Sequence, residues 1–171
     1  MIFEGKIWKF GDTISTDLMM PGAEIIANPG ISDEEAVQYC MQANRPGWAK
    51  QVQKGDIVIA GRNWGCGSSR PAARLFKALG IAVIVADSMS RLFFRNAVNI
   101  GLPVLICEHV SEAFEEGDRA RVNIQTGEVS NLTKGTGFQG EALPADSPPM
   151  QILMAGGLAS FMRQEEKEEA T

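Results

Sequence analysis

The spacing of apolar and polar positions changes several times along the chain, and each change marks an element. Residues 1–10 place Ile2, Phe3, Ile7 and Trp8 among polar positions in the alternation of a half-buried strand, which runs into a Gly11-Asp12 turn. Ser32-Asp33-Glu34-Glu35 reads as a capping box opening a helix to about Ala43, where Asn44, Pro46 and Gly47 stop it. After the Gly55-Asp56 turn, Ile57-Val58-Ile59-Ala60 is an unbroken apolar run of the kind buried on both faces of a sheet. Ala72, Leu75, Phe76 and Leu79 then recur at helical spacing up to Gly80, with Pro71 in the first turn, where a missing N–H costs nothing. Residues 81–86 form the next buried strand, Ser88 is placed to cap a helix through Leu92, Phe93 and Val98 to Gly101, and residues 102–106 form a third.

This β-α-β-α-β order with short loops predicts an α/β fold built on a mainly parallel central sheet, with ligand groups at the carboxyl ends of the strands. Beyond Glu112 the texture changes. Residues 121–124 and Glu128-Val129 flank Thr126-Gly127 as a hairpin, glycines 135, 137 and 140 mark loops, and a helix-like run from Met150 to Met162 carries Gly156-Gly157 in its middle. The expectation is one domain over 1–171 with an extra β-rich C-terminal part and a frayed acidic tail over 162–171.

Composition narrows the function classes. A chain of 171 residues, 44% of them hydrophobic, can bury one core, and it contains no apolar run long enough for a membrane span and no basic-then-apolar leader. A net charge of −5 with scattered Lys and Arg argues against nucleic acid. Cys40, Cys66 and Cys107 are widely spaced, with no CxxC and only His109 as a further ligand, which argues against disulfides or structural zinc and for a reducing cytoplasm. His109, just past a strand, reads as a surface residue. Without a histidine to pair with Ser68 or Ser69, a Ser-His-Asp hydrolase is excluded within this chain.

The segment Gly61-Arg62-Asn63-Trp64-Gly65-Cys66-Gly67-Ser68-Ser69-Arg70-Pro71 ends a predicted strand and opens a predicted helix. Glycines 65 and 67 let the backbone approach a ligand, two hydroxyls stand side by side, and Arg70 offers a planar fork for a carboxylate. It lacks the lysine of a phosphate loop and supplies only half of GxGxxG, although Asp87 ends the next strand; a nucleotide- or anion-binding regulatory module and an ordinary capped glycine turn stay open on these residues alone.

Together with Gly11-Asp12-Thr13-Ile14-Ser15-Thr16-Asp17 and Pro21-Gly22, this segment resembles the swivel-domain small subunit of the isopropylmalate isomerase (3-isopropylmalate dehydratase) branch of the aconitase family, on the patterns GD-x-x-STD-x-x-x-PG and N-[FW]-G-x-GSSR. The resemblance extends in layout over most of the chain. It implies an aconitase swivel-like fold and a hydro-lyase active only with a large subunit. In that reading Ser68 is the catalytic base, Asp17 at the mouth of the site is the second catalytic residue, and Ser69, Arg70 and Gly67 hold the carboxylate of a hydroxy-dicarboxylate substrate. No cofactor is expected on this chain; the 4Fe-4S cluster belongs to the large subunit, and Cys66 is a packing residue. The loop after Pro21 has no arginine until Arg45, so Ile25 or Ile26 is expected to face an alkyl group, favouring 2-isopropylmalate over citrate. Dimethylmalate, methylmalate/citraconate and homoaconitase types remain alternatives, and Asp17 also fits an Asx turn. Pro71-Ala72-Ala73 replaces the family's Glu-His-Ala, so the hydrogen bonding behind the serines must differ. Without its partner the chain is open to homo-oligomerisation.

Overall fold

The computed structural model describes residues 1–20, 22, 28, 30–67 and 70–169, and its architecture follows from which strands are buried on both faces. Ile57–Ala60 (β2) and Val83–Ala86 (β3) carry no polar side chain, and every residue in them is buried. Such strands need neighbours on both sides and cover above and below. β1 (Ile2–Phe10) and β4 (Val104–Ile106) supply the neighbours, and β5 (Arg119–Asn123), β6 (Glu128–Asn131) and β7 (Thr136–Gln139) extend the sheet, in the order β4-β3-β2-β1-β5-β6-β7. The first four pair in parallel and the last three antiparallel. β1 serves both halves, pairing through Ile7–Phe10 with β2 and through Ile2–Lys6 with β5.

The register places Phe10, Ala60, Ala86 and Ile106 in one row across the parallel half. Gly11-Asp12, Gly61-Arg62, Asp87-Ser88 and Cys107-Glu108 therefore leave the sheet at the same edge, the carboxyl ends where α/β sheets present ligand groups. The helices are α1 (Thr16–Met19), α2 (Asp33–Ala36), α3 (Ala73–Leu79), α4 (Arg91–Ile100), α5 (Val110–Ala113), α6 (Pro148–Met154) and α7 (Leu158–Glu169). α4 packs against α3, α6 and α7, while α5 lies on β2 and β3. Between sheet and helices, Trp8, Phe10, Trp48, Trp64, Phe76 and Phe93 form one continuous aromatic cluster with ring centroids 5.2 to 6.4 Å apart. Trp8 also donates from Nε1 to the buried carboxylate of Asp56 at 2.7 Å.

Several elements differ from expectation. The helix expected to reach Ala43 keeps its capping box, but α2 stops at Ala36, tightens into a 3-10 turn over Val37–Tyr39, and Met41 takes a φ of 60°. The Met41 N–H bonds to the Met19 carbonyl at 2.9 Å, so this stretch is tied to α1 instead of continuing its own helix. Ser90, not Ser88, caps α4, accepting from the Phe93 N–H at 3.2 Å. Gly137, expected in a loop, lies in β7 opposite Ser130, because Phe138 pairs with Val129 and draws the strand in. The run from Met150 to Met162 is two helices, α6 and α7, parted by Gly156 and Gly157 at φ of 84° and 125°. α7 runs through the acidic stretch to Glu169, and residues 170–171 of the acidic end lie outside the described residues.

Asp118, 8% exposed, ties the antiparallel half together by accepting from the Glu115 N–H at 2.9 Å and from Asn131 Nδ2 at 2.8 Å. The Glu115 N–H, with Asn131 and Lys134 in support and burial opposing, holds its carboxyl below the usual 3.8. A carboxylate with a depressed native pKa adds stability that is present above about pH 4 and lost as pH falls through the native value. The urea midpoint should therefore fall between pH 5 and pH 3. Asp118→Asn, less stable at pH 7, should show a shallower fall, and an equally steep fall would contradict this role.

Candidate active site

At the shared strand edge the chain builds a second, smaller set of parallel pairings. The Thr13 N–H donates to Arg62 O at 2.7 Å, the Gly65 N–H to Ile14 O at 2.9 Å, and the Thr16 N–H to Cys66 O at 2.9 Å. On the other side the Trp64 N–H donates to Ser88 O at 3.0 Å and the Ser90 N–H to Trp64 O at 2.8 Å. Residues 64–67 are thus threaded between 13–16 and 88–90, with parallel bridges at Ser15–Cys66 and Trp64–Met89. Side chains reinforce the frame: Ser88 Oγ accepts from the N–H of Asn63, which sits at φ 58°, and Ser90 Oγ donates to Gly65 O at 2.6 Å. Asp12 accepts from the Arg62 N–H at 2.8 Å and from its guanidinium, contacts that hold the Asp12 carboxyl below its ordinary range.

Two glycines make the close approach feasible. Gly65, at φ 72°, has its Cα so near Phe93 that a methyl group there would lie 2.4 Å from the Phe93 side chain. Gly67, at φ 92°, faces Ser15, Thr16 and Asp17. The two sequence motifs therefore meet in space. Their side chains meet as well: Asp17, in the first turn of α1, forms an ion pair with Arg70 Nε at 2.8 Å. Arg70 Nη1 also donates to Met20 O at 2.8 Å, and its guanidinium lies against the Cα of Gly22, where an added methyl would stand 2.8 Å from Nη2.

Of the residues expected to act, Asp17, Gly67 and Arg70 are brought together; Ser68, Ser69, Ile25 and Ile26 lie outside the described residues. Within this arrangement Arg70 Nε engages Asp17 and Nη1 engages Met20. One expectation needs correction. The helix expected to open directly behind the serines begins at Ala73, with Ala72 as an N-cap that offers no side-chain bond, because Pro71 and two alanines supply no capping group. Sequence reasoning missed Ser90 as a support of the turn. Its signal was available, three residues before Phe93, but Ser88 stands two positions earlier and competes for the same role.

The same edge carries a cleft of about 520 Å³ beside the turn, containing Asp12, Arg62, Asp87 and His109. Asp87 accepts from Ser111 through both oxygens, N–H at 2.9 Å and Oγ at 2.6 Å, which occupies the acid a nucleotide-type site would need. His109 is 79% exposed and stands 3.7 Å from Glu112. Among the described residues no set of three or more His, Cys, Asp or Glu is arranged for a metal. Cys40 and Cys107 are buried, which pushes both thiols up, Cys107 to about 11, so they are poor sources of thiolate. The described donor set does not fit an iron–sulfur cluster.

Residues 22–108 match the family model of the aconitase C-terminal domain. The chain belongs to this family. Similarity to curated members runs almost end to end: it is 41% identical over 168 residues to the isopropylmalate/citramalate isomerase small subunit of Methanocaldococcus jannaschii, covering 98% of this chain and 97% of that one. It is 40% identical to the 3-isopropylmalate dehydratase small subunit of Heliobacterium modesticaldum (95% and 96% covered), and 39% identical to the methanogen homoaconitase small subunit of Methanothermobacter thermautotrophicus (93% and 89%). A crystal structure of 3-isopropylmalate dehydratase from M. jannaschii superposes with a TM-score of 0.91 at 31% identity, covering 99% and 98% of the two chains. The aconitase-family fold expected from the two motifs is therefore present, in a chain whose relatives are named as small subunits of the dehydratase type. No helix among the described residues is long and apolar enough to cross a membrane.

The threaded turn makes a direct demand on Gly65. Gly65→Ala should cost about 2–4 kcal/mol through overlap with Phe93 and a left-handed backbone. Gly11→Ala, with nothing within 4 Å of the added methyl, should stay within about 0.5 kcal/mol. Urea unfolding of both variants checks this; equal, small effects would contradict the close packing of the turn on α4.

Proposed function

We propose that this chain is the small subunit of a hydro-lyase that isomerises 2-isopropylmalate to 3-isopropylmalate by dehydration and rehydration, working with a large subunit that carries a 4Fe-4S cluster. The observation that carries the reading is the junction of the two motifs, Asp17 on Arg70 at 2.8 Å and the Thr16 N–H on Cys66 O. In this reading Ser68 takes the proton from the carbon next to a substrate carboxylate. A serine serves as base only if its alkoxide is stabilised, and backbone N–H groups of the turn together with the Arg70 charge are the sources on hand. Ser69 and Gly67 complete the carboxylate cradle, and Asp17 holds Arg70 in place for it. The Lewis acid for the departing hydroxyl is assigned to the partner's cluster, since the described residues of this chain do not fit one.

Substrate choice is assigned to the loop after Pro21, with Ile25 or Ile26 against the alkyl group; burying an isopropyl there is worth ~1–3 kcal/mol. A homoaconitase-type reading has a specific basis in the relative of that name at 39% identity, against 41% for the isopropylmalate/citramalate relative, a difference too small to separate them.

Three outcomes are expected. The purified chain alone should not turn over any alkylmalate and should gain activity on mixing with the large subunit; turnover by the iron-free chain would overturn the division of labour. In the assembled enzyme Ser68→Ala should lower kcat by at least about 100-fold with little change in KM, the range of general-base catalysis. Arg70→Lys should instead raise KM, because an ammonium cannot hold Asp17, Met20 O and a carboxylate together. Near-normal turnover in Ser68→Ala would exclude Ser68 as the base. Finally, Ile25→Arg or Ile26→Arg should shift kcat/KM from isopropylmalate towards citrate-like tricarboxylates. If neither ratio moves by more than about 3-fold, well below what one methylene is worth in a pocket, the loop does not read the substrate.

A further inference from the structure

Pro21-Gly22 belongs to the motif that carries Asp17, yet no step of the function above uses it. In the fold Gly22 lies beside Arg70. A methyl added at its Cα would stand 2.8 Å from Nη2, 2.9 Å from Nη1 and 3.1 Å from Cζ, so the three nearest atoms all belong to one guanidinium. The rest of that guanidinium is already engaged, Nε by Asp17 at 2.8 Å and Nη1 by Met20 O at 2.8 Å. Nη2 has no hydrogen-bond partner among the described residues. The edge between Nη1 and Nη2 is therefore the one left to receive an anion, and it is the edge that Gly22 faces.

We propose that Gly22 is a positioning residue for the substrate carboxylate, its missing side chain keeping the Nη1–Nη2 edge of Arg70 in place and open. The proposal rests on the functional reading above, in which Arg70 binds that carboxylate. Its first support is distance. A carboxylate oxygen bonds a guanidinium N–H at about 2.7–2.9 Å, so a methyl 2.8 Å from Nη2 takes an acceptor's place or drives the guanidinium aside. The second support is which of the two partners gives way. The Arg70 side chain is 34% exposed, and its far end is free to swing outward, so the guanidinium yields before the backbone does. The fold then loses one exposed ion pair, which contributes little to stability. The site loses more, because a planar fork cannot turn away and still meet Asp17, Met20 O and a carboxylate in their fixed directions. The third support is economy of sequence: Met20, at the end of α1, accepts from Nη1, and two residues later Gly22 limits what stands against the same group.

The test is the steady-state kinetics of the full-length chain assembled with its large subunit. Gly22→Ala should raise KM at least about 10-fold, the scale of one hydrogen bond to a charged group. Its kcat should stay within about 3-fold of wild type, the signature of lost binding common to ground and transition states. Gly137→Ala, in a strand and with nothing within 4 Å of the added methyl, should behave as wild type. In the Arg70→Lys background Gly22→Ala should change KM by less than about 2-fold, since two substitutions acting through one group do not add. An equal rise of KM in both backgrounds would show that Gly22 acts on something other than the guanidinium and would overturn the proposal. A Gly22→Ala chain that fails to assemble, or whose urea midpoint falls well below that of Gly137→Ala, would also overturn it, because the contact would then hold the fold. Kinetics of Gly22→Ala that match Gly137→Ala, while Arg70→Lys raises KM, would overturn this inference alone. If Arg70→Lys leaves KM unchanged, the carboxylate assignment of the functional reading falls, and this inference with it.

Discussion

The site depends on a constraint imposed by the backbone: residues 64–66 have hydrogen-bonding partners on both sides. A glycine-rich turn left to itself would be among the most mobile parts of a chain. Here the Ile14 and Ser88 carbonyls accept from its N–H groups, and its own carbonyls accept from Thr16 and Ser90. The turn is a short strand of an accessory parallel sheet that continues the main one past the row Phe10, Ala60, Ala86 and Ile106. That row exists because β2 and β3 are apolar on both faces and end in register.

Everything placed on the turn inherits its position. Trp64 fixes the turn's start to the aromatic cluster through Phe10, Phe76 and Phe93. Gly67 brings the turn's end to Asp17, and Asp17 holds Arg70, which reaches back to Met20 at the end of α1. A guanidinium engaged by a carboxylate and a carbonyl is preorganised, so little reorganisation remains when an anion arrives. In the function proposed above, this chain contributes a rigid half of a site, in keeping with relatives that are named as small subunits.

Much of this arrangement was readable before any coordinates. Runs such as Ile57–Ala60 and Val83–Ala86 announce buried parallel strands because no amphipathic alternative fits them, and the GCGSSR and STD segments carry their chemistry in residue type and spacing. What the sequence did not yield depends on contacts between distant residues. Met41 leaves the helical path because its N–H finds Met19, and Gly137 enters a strand because Phe138 finds Val129. Ser88 and Ser90 compete for one cap, and only the position of residues 63–65 decides which of them serves α4 and which serves Asn63. The engagement of Arg70 by Asp17 and Met20 was likewise hidden, since it requires the two motifs to be adjacent.

The central claim is that the turn is a structural strand of the sheet system, and amide hydrogen exchange in increasing urea tests it most directly. The N–H groups of Trp64, Gly65 and Thr16 should exchange only through the large opening that releases Val58 and Ile84 in the middle of the sheet, with the same free energy and the same urea dependence. Exchange of these three through small, urea-independent fluctuations, several kcal/mol easier than that of Val58, would show a turn that is not held by its neighbours and would contradict the account.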